Sequence, residues 1–230
     1  MTLDMPDIEI YRHADRFVTE RGDITTRHSF SYGVHYDPDR IGFGAVRAIN
    51  TERLAPGAGY AAHRHSDVEI LTWVLDGALL HSDSAGGGGL IRPGTMQRLS
   101  AGAGVEHTEV NASSEDSLVF VQMMLTSHHE EAPEYEQREI SAAAGELVST
   151  VTVHAAAELF VVRLEAGQSV TVPAAPRSLV HVTRGEVRLR DTGLFAGDEV
   201  RLTGAGPYDL SAAATSSGVG GEALVWQLET

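Results

Sequence analysis

The chain has 230 residues, of which 42% are hydrophobic, and it contains no cysteine. This length fits one large domain or two small ones, and the hydrophobic share is sufficient for a packed core. The net charge of −15, without a clustered basic stripe, argues against direct nucleic-acid binding, and the lack of cysteine excludes disulfides, zinc ribbons and thiol nucleophiles. Because no apolar run approaches about 18 residues and the N-terminus lacks secretory features, we expect a cytoplasmic protein without a membrane span.

Short apolar runs, separated by glycine, proline, aspartate and serine, recur along the chain. Each alternates or stays apolar over a few residues, and long helical periodicity is nearly absent. This pattern is typical of an all-β sandwich or barrel. The predicted strands are, in chain order, Gly44–Asn50, Ile70–Leu75, Leu118–Leu125, Leu159–Leu164, Leu179–Val182, Glu186–Arg190 and Ala223–Leu228.

A polar, turn-prone segment near the middle divides the chain into two β units of similar size. Each unit has an apolar strand, a tight turn at Asp76-Gly77 or Arg184-Gly185, and a further strand. This weak internal similarity predicts two related barrels in tandem. We therefore assign residues 1–130 to an N-terminal barrel, 131–140 to a linker and 141–230 to a C-terminal barrel.

Two groups of side chains have the spacing of metal ligands on strands. His63 and His65 are two positions apart, and His107 and Glu109 form a second such pair. Side chains at i and i+2 of a strand point to the same face, about 7 Å apart, so each pair can converge on one ion. Three imidazoles and one carboxylate suit a divalent ion of iron, nickel, copper, manganese, zinc or cobalt, with positions left open for water, dioxygen or substrate. We predict one such ion, bound by these four residues.

Glu69 shares the parity of His63 and His65 if the strand is unbroken. It is then a further ligand, a partner that orients an imidazole, or one side of a salt bridge with an arginine. Because one site rarely needs two carboxylates beside three histidines, we expect a supporting or structural role. The other histidines lack a ligand pattern, and we expect them to be surface or hydrogen-bonded residues: His13, His28, His35, His81, His128, His129, His154 and His181.

The residues around these motifs resemble the pirin family of bicupins. The resemblance is carried by the pattern Gly-x5-His-x-His-x3-Glu, which ends at Glu69, by the run Gly104–Glu109, and by an upstream stretch that begins at Arg27. It is strong over about residues 8–140, whereas residues 141–230 show only the cupin outline. The resemblance implies two β-barrels with metal only in the N-terminal one, bound by the four predicted ligands. It also implies that Glu69 is not a ligand.

Similarity to bacterial pirin-like quercetinases implies a dioxygenase that opens flavonol-type polyphenols with O2 and releases carbon monoxide. We expect the ion, with Fe2+ as the preferred species, to hold the deprotonated substrate, and Glu109 to accept the flavonol hydroxyl proton as a general base. The alternative is a non-enzymatic, metal-dependent regulator or redox sensor that binds a protein partner, a role also known for pirins. Another cupin activity, such as isomerisation, is a third alternative. We expect a monomer without nucleic-acid or membrane partners.

Overall fold

The structure is a computed structural model that describes residues 7–214 and 220–229. It consists almost entirely of antiparallel strands, so the predicted all-β class is confirmed. Two short 3-10 helices, His13–Asp15 and Pro38–Arg40, interrupt the strands. Within the described ranges, no helix is long and apolar enough to cross a membrane.

The chain forms two compact units whose boundaries differ from the predicted ones. The unit that carries the predicted ligands, here called the site unit, comprises Arg16–Glu139 and Val153–Ala155. The second unit comprises Ile140–Thr152 and the described residues of Met1–Asp15 and Ala156–Thr230. Instead of one sequential division at 131–140, the chain passes between the units four times, after residues 15, 139, 152 and 155.

Two edge strands account for these differences. Glu134–Glu139, which lies in the predicted linker, pairs antiparallel with Thr95–Ser100 of the site unit. Asp7–Tyr11, predicted in the N-terminal barrel, pairs with Glu199–Ala205 of the second unit. Each lies at the end of its sheet, and its side chains are mostly exposed. The polar sequence of Glu134–Glu139 lacks the apolar alternation that identifies strands, whereas Asp7–Tyr11 alternates but gives no sign of which sheet it joins.

The site unit is built from two antiparallel sheets. Its strands are β2 (Phe17–Arg21), β3 (Ile24–His28), β4 (Val46–Leu54), β5 (Gly59–His65), β6 (Val68–Asp76), β7 (Leu79–Asp83), β8 (Gly88–Ile91), β9 (Thr95–Ser100), β10 (Val105–Asn111), β11 (Leu118–Thr126) and β12 (Glu134–Glu139). One sheet has the order β12-β9-β6-β11-β4-β3-β2, and the other has the order β5-β10-β7-β8. Buried aliphatic and aromatic side chains, among them Leu54, Val74 and Phe120, form part of its core.

The second unit has a single branched sheet. Its strands are β1 (Asp7–Tyr11), β13 (Leu147–Ser149), β14 (Ala157–Leu164), β15 (Ser169–Val172), β16 (Ala175–Leu189), β17 (Thr192–Phe195), β18 (Glu199–Ala205), β19 (Tyr208–Ser211) and β20 (Gly221–Leu228). The main path is β1-β18-β16-β20-β14-β13. Its core is largely aliphatic and includes Val180, Leu202 and Val225.

One of the two predicted turns is confirmed and the other is wrong. Asp76-Gly77 connects β6 to β7, with Gly77 at a φ of 79°, a left-handed conformation that glycine adopts readily. Arg184-Gly185 instead lies inside the long strand β16, where the pairing with β20 shifts register between Val182 and Arg184. A β-bulge at this point bends the strand without ending it, so two predicted strands are one.

Candidate metal centre

Strands β5 and β10 bring the predicted ligands together. His63 lies directly opposite His107 in this antiparallel pair, and the register shifts before Glu109, which lies opposite Tyr60. A bulge of this kind re-aims side chains at a functional site. His63, His65 and His107 each offer a ring nitrogen, and these atoms all lie within 4.8 Å of one another. Three of the four predicted ligands thus converge as the strand spacing predicts.

The orientation of the three rings suits a shared ion. The His63 and His107 rings are 4.3 Å apart and tilted by 50°, and the two ring pairs that involve His65 are tilted by 71° and 78°. Since an ion must lie in the plane of each imidazole that binds it, tilted planes can meet at one point. His63 Nδ1 donates a hydrogen bond to the Ala61 carbonyl at 2.8 Å, which leaves its Nε2 for a metal.

Several buried nitrogens at this centre have no hydrogen-bond partner. These are His65 Nε2 and both ring nitrogens of His107. A buried polar atom without a partner costs about 1–3 kcal/mol, so a group of them in one place needs an explanation. A divalent cation would satisfy these lone pairs, and the residues present therefore fit a metal ion.

Burial keeps these imidazoles neutral. Burial, together with the smaller effects of the neighbouring His63, His81 and His65, lowers the pKa of His107 to about 3. Burial also lowers the pKa of His65, and His63 adds to this effect. A neutral imidazole has the free lone pair that metal coordination requires. The rings are therefore ready to bind an ion at neutral pH.

Glu109 is a buried carboxyl held by an amide. It is 1% exposed, and Gln122 Nε2 donates to its two oxygens at 2.9 and 3.0 Å. Burial raises the pKa of Glu109 to about 7; the Gln122 hydrogen bonds lower it and the charge of Glu52 raises it. A nearby divalent cation would favour the ionised form.

His81 is a functional candidate that the sequence did not reveal. It lies opposite Glu109 in the β7–β10 pair, and its ligand atom, with those of His107 and Glu109, forms a second group within 4.8 Å. It is 1% exposed, its Nδ1 is buried without a partner, and its Nε2 is 3.3 Å from Asp83 Oδ2. His81 is a hydrogen-bonded residue, as expected, and its place in this group makes it a candidate ligand as well. The available signal was the His-x-Asp spacing after the β6–β7 turn.

Glu69 lies on β6 and not on the strand of His63 and His65. The turn before β6 includes Asp67 at a positive φ of 58°, so the assumed unbroken strand, and with it the parity argument, fails. Glu69 is fully buried and accepts hydrogen bonds from Ser100 Oγ at 2.6 Å and Ser127 Oγ at 2.5 Å. Its contacts are those of a structural residue that connects β6, β9 and the end of β11.

A cavity of about 460 Å3 lies against the candidate centre, and His63, His65 and Glu109 form part of its wall. A second buried carboxyl, Glu52, also lines it and accepts hydrogen bonds from Thr26 Oγ1 at 2.5 Å and from the Tyr60 hydroxyl at 2.7 Å. Burial raises the pKa of Glu52, and the two hydroxyl donors oppose this shift. The cavity is therefore lined by two buried carboxyls, Glu52 from β4 and Glu109 from β10.

Aromatic rings form the outer part of the same cavity. His28 stacks on Tyr32 with ring centroids 5.1 Å apart and planes 15° apart. Burial lowers the pKa of His28, and hydrogen bonds to Asn50 and Thr19, both 2.9 Å, fix its ring. Tyr32 is 48% exposed, which places it at the mouth. A neutral, fixed pair of rings presents a flat apolar surface to a ligand.

Comparisons with known proteins agree with this architecture. A family model described as Pirin matches residues 11–125, and one described as quercetinase C-terminal cupin domain matches residues 141–219. With its two β units and the histidine-rich centre in one of them, the chain is a bicupin with a candidate metal site. The chain belongs to the pirin family, as its sequence motifs predicted.

Individual relatives match nearly the whole chain. A Mycobacterium tuberculosis protein, provisionally named quercetin 2,3-dioxygenase, is 38% identical over 236 residues, covering 96% of this chain and 95% of its own. The quercetin 2,3-dioxygenase of Escherichia coli K12 is 33% identical over 199 residues, covering 82% of this chain and 86% of its own. The bacterial pirin YhhW of E. coli, solved in complex with nickel(II), superposes with a TM-score of 0.88 at 29% identity, covering 97% and 99% of the two chains.

Proposed function

We propose that the protein is a metal-dependent dioxygenase of flavonol-type polyphenols. The observation that carries this proposal is the cavity beside the candidate metal centre, with its stacked rings and its two buried carboxyls. Its volume of about 460 Å3 is in the range of small-molecule sites. Relatives named quercetin 2,3-dioxygenase support the same substrate class. A concave, ring-lined site favours a small planar ligand over a protein partner.

His63, His65, His107 and Glu109 would hold one divalent ion, with His81 within reach as a further donor. The ion, when bound, supplies a Lewis acid that stabilises an anionic substrate oxygen. Imidazole and carboxylate donors accept several first-row ions, among them the nickel found in YhhW. Fe2+ remains our preferred species.

Glu109 is proposed as the acceptor of the flavonol hydroxyl proton. With the ion bound, Glu109 would be ionised and able to accept a proton, and Gln122 holds both of its oxygens in a fixed position. Loss of the proton leaves a negative charge that is delocalised from the substrate oxygen onto a ring carbon, where dioxygen would add. Both atoms of O2 then enter the product, and one ring carbon leaves as carbon monoxide.

Glu52 and Tyr60 provide a second polar anchor for the substrate. The hydrogen bonds from Thr26 and Tyr60 are both made to Glu52 Oε2, so Oε1 can accept a substrate hydroxyl. The Tyr60 ring also contacts His63, edge to face, at a centroid distance of 6.1 Å. Polyphenols carry hydroxyls on both ends of a flat ring system. In this cavity Glu52 would accept from a hydroxyl at one end, while His28 and Tyr32 support the rings.

Oxygen uptake and carbon monoxide release with quercetin test the proposal at a measured metal load. The wild-type protein should consume one O2 per carbon monoxide, and His63→Gln should lose this activity together with bound metal. His128→Gln, which changes an exposed histidine elsewhere in the site unit, is the matched control and should retain both. A fully metallated protein that does not turn over any flavonol would exclude the dioxygenase and favour the regulatory alternative.

A further inference from the structure

We propose that the site unit contains a second site for a divalent transition-metal ion, formed by His129, Glu134 and His154. The ligand atoms of these three side chains all lie within 4.8 Å of one another. None of the three belongs to the centre described above. They come from three separate stretches: the segment after β11, the start of β12, and Val153–Ala155, which belongs to the site unit although the residues on both sides of it do not.

This arrangement goes beyond the expectation from the sequence, in which His129 and His154 showed no metal-ligand pattern and were expected to be surface or hydrogen-bonded residues. The structure brings them together through the return of residues 153–155, where the His128 amide donates to the His154 carbonyl at 2.7 Å. Such a long-range contact leaves no local signal in the sequence.

His129 has the orientation of a prepared ligand. It is 8% exposed, its Nε2 donates to the Ala132 carbonyl at 2.7 Å, and its amide donates to Ser127 Oγ at 3.0 Å. A hydrogen bond from one ring nitrogen to a carbonyl fixes the tautomer, so Nδ1 carries the lone pair. Metal-binding histidines are commonly fixed in this way.

Glu134 supplies the negative charge. Its carboxylate accepts a hydrogen bond from His154 Nε2 at 2.9 Å. The contacts from His154 and from Arg98, also at 2.9 Å, are both made to Oε2, which leaves Oε1 for an ion. Arg98 opposes a cation here, but the adjoining sequence carries Glu130, Glu131 and Glu136 and keeps the local charge negative.

One side chain must turn for the ion to bind. The His129 and His154 rings are stacked, with centroids 4.4 Å and planes 19° apart, and parallel rings cannot both have the same ion in their planes. The side chain of His154 is 36% exposed and can rotate, whereas His129 is fixed. Bound metal would replace the His154–Glu134 hydrogen bond by two coordination bonds and tie residues 153–155 to the site unit.

Metal stoichiometry tests this site without reference to catalysis. Untagged protein is stripped with a chelator, dialysed against Zn2+ at micromolar free concentration, and analysed for zinc per chain. We expect two ions for wild type and for His128→Gln, the control at the adjacent exposed histidine. We expect one ion for His154→Gln and for Glu134→Gln, both at exposed or half-exposed positions where misfolding is not expected.

Zinc content together with oxygen uptake, measured on separate Fe2+-loaded samples, distinguishes the two metal sites. His63→Gln should lose an ion and oxygen uptake, whereas His154→Gln should lose an ion and keep oxygen uptake. If wild type binds a single zinc ion and His154→Gln also binds one, the second site is overturned. The cluster is then a hydrogen-bonded imidazole–carboxylate pair. Retention of two zinc ions by both His154→Gln and Glu134→Gln would overturn it as well.

Discussion

Replacing Glu109 by glutamine removes the charge of a carboxyl that lies buried between Gln122 and the candidate ligands. In the metal-free protein its pKa is about 7, against an ordinary value of 4.5. Below pH 4.5 this carboxyl is protonated in both the folded and the unfolded chain, and burial then carries no ionisation cost. Above pH 7 the folded protein bears the full cost of the buried charge, which corresponds to about 3 kcal/mol. Metal-free wild type should therefore lose up to about 3 kcal/mol relative to Glu109→Gln as the pH rises through this range.

Urea unfolding of chelator-treated protein at several pH values measures this difference. A Trp226→Phe background makes Trp73 the reporter, and Trp73 lies in the site unit. Comparison of the two proteins at each pH cancels the titration of the histidines, which changes stability in the opposite direction. The exposed Glu115→Gln should show no such pH-dependent difference. A constant difference between wild type and Glu109→Gln from pH 4.5 to pH 7 would refute the assignment of a raised pKa to this carboxyl.

Three further substitutions test the structure around the centre. Gln122→Leu removes both hydrogen bonds to Glu109 and should weaken zinc affinity about 10–100-fold. Equilibrium dialysis measures this affinity, and an unchanged value would mean that the amide does not orient the carboxylate. Glu52→Gln should lower kcat/KM for quercetin about tenfold or more with unchanged metal content, since it weakens one good acceptor; an equal loss of metal would assign it to the metal centre instead. Gly59→Ala places a Cβ 2.4 Å from the Glu109 carbonyl and 2.7 Å from Val110 Cα, and should lower stability by about 1–3 kcal/mol, whereas Gly206→Ala, with open space around it, should not.

The shared face within each pair, His63 with His65 and His107 with Glu109, could be predicted because it depends on local geometry, whereas the meeting of the two pairs depends on the pairing of β5 with β10. Side chains two apart on a strand share a face whatever the partner strand is, so each pair was visible in the sequence. The approach of His81 to Glu109 depends on the pairing of β7 with β10, which no local pattern specifies. The same holds for Glu52, which lies on β4 and lines the cavity beside Tyr60.

The domain boundaries were harder to predict than the fold class. Apolar runs marked the central strands β4, β6, β11, β14 and β20, because these are buried and hydrophobic. The edge strands β1 and β12 are short, and their membership of one unit or the other is decided by backbone pairing. The Arg184-Gly185 dipeptide has turn composition but lies within β16, where the pairing with β20 continues through both residues.

Oxygen consumption by the metal-loaded protein in the presence of quercetin tests the central claim most directly. Protein loaded with Fe2+ or Ni2+, with metal content measured on the same sample, should consume O2 and release an equal amount of carbon monoxide, and His63→Gln should do neither. Wild-type protein with one ion at the centre and no oxygen uptake with quercetin or related flavonols would contradict the account.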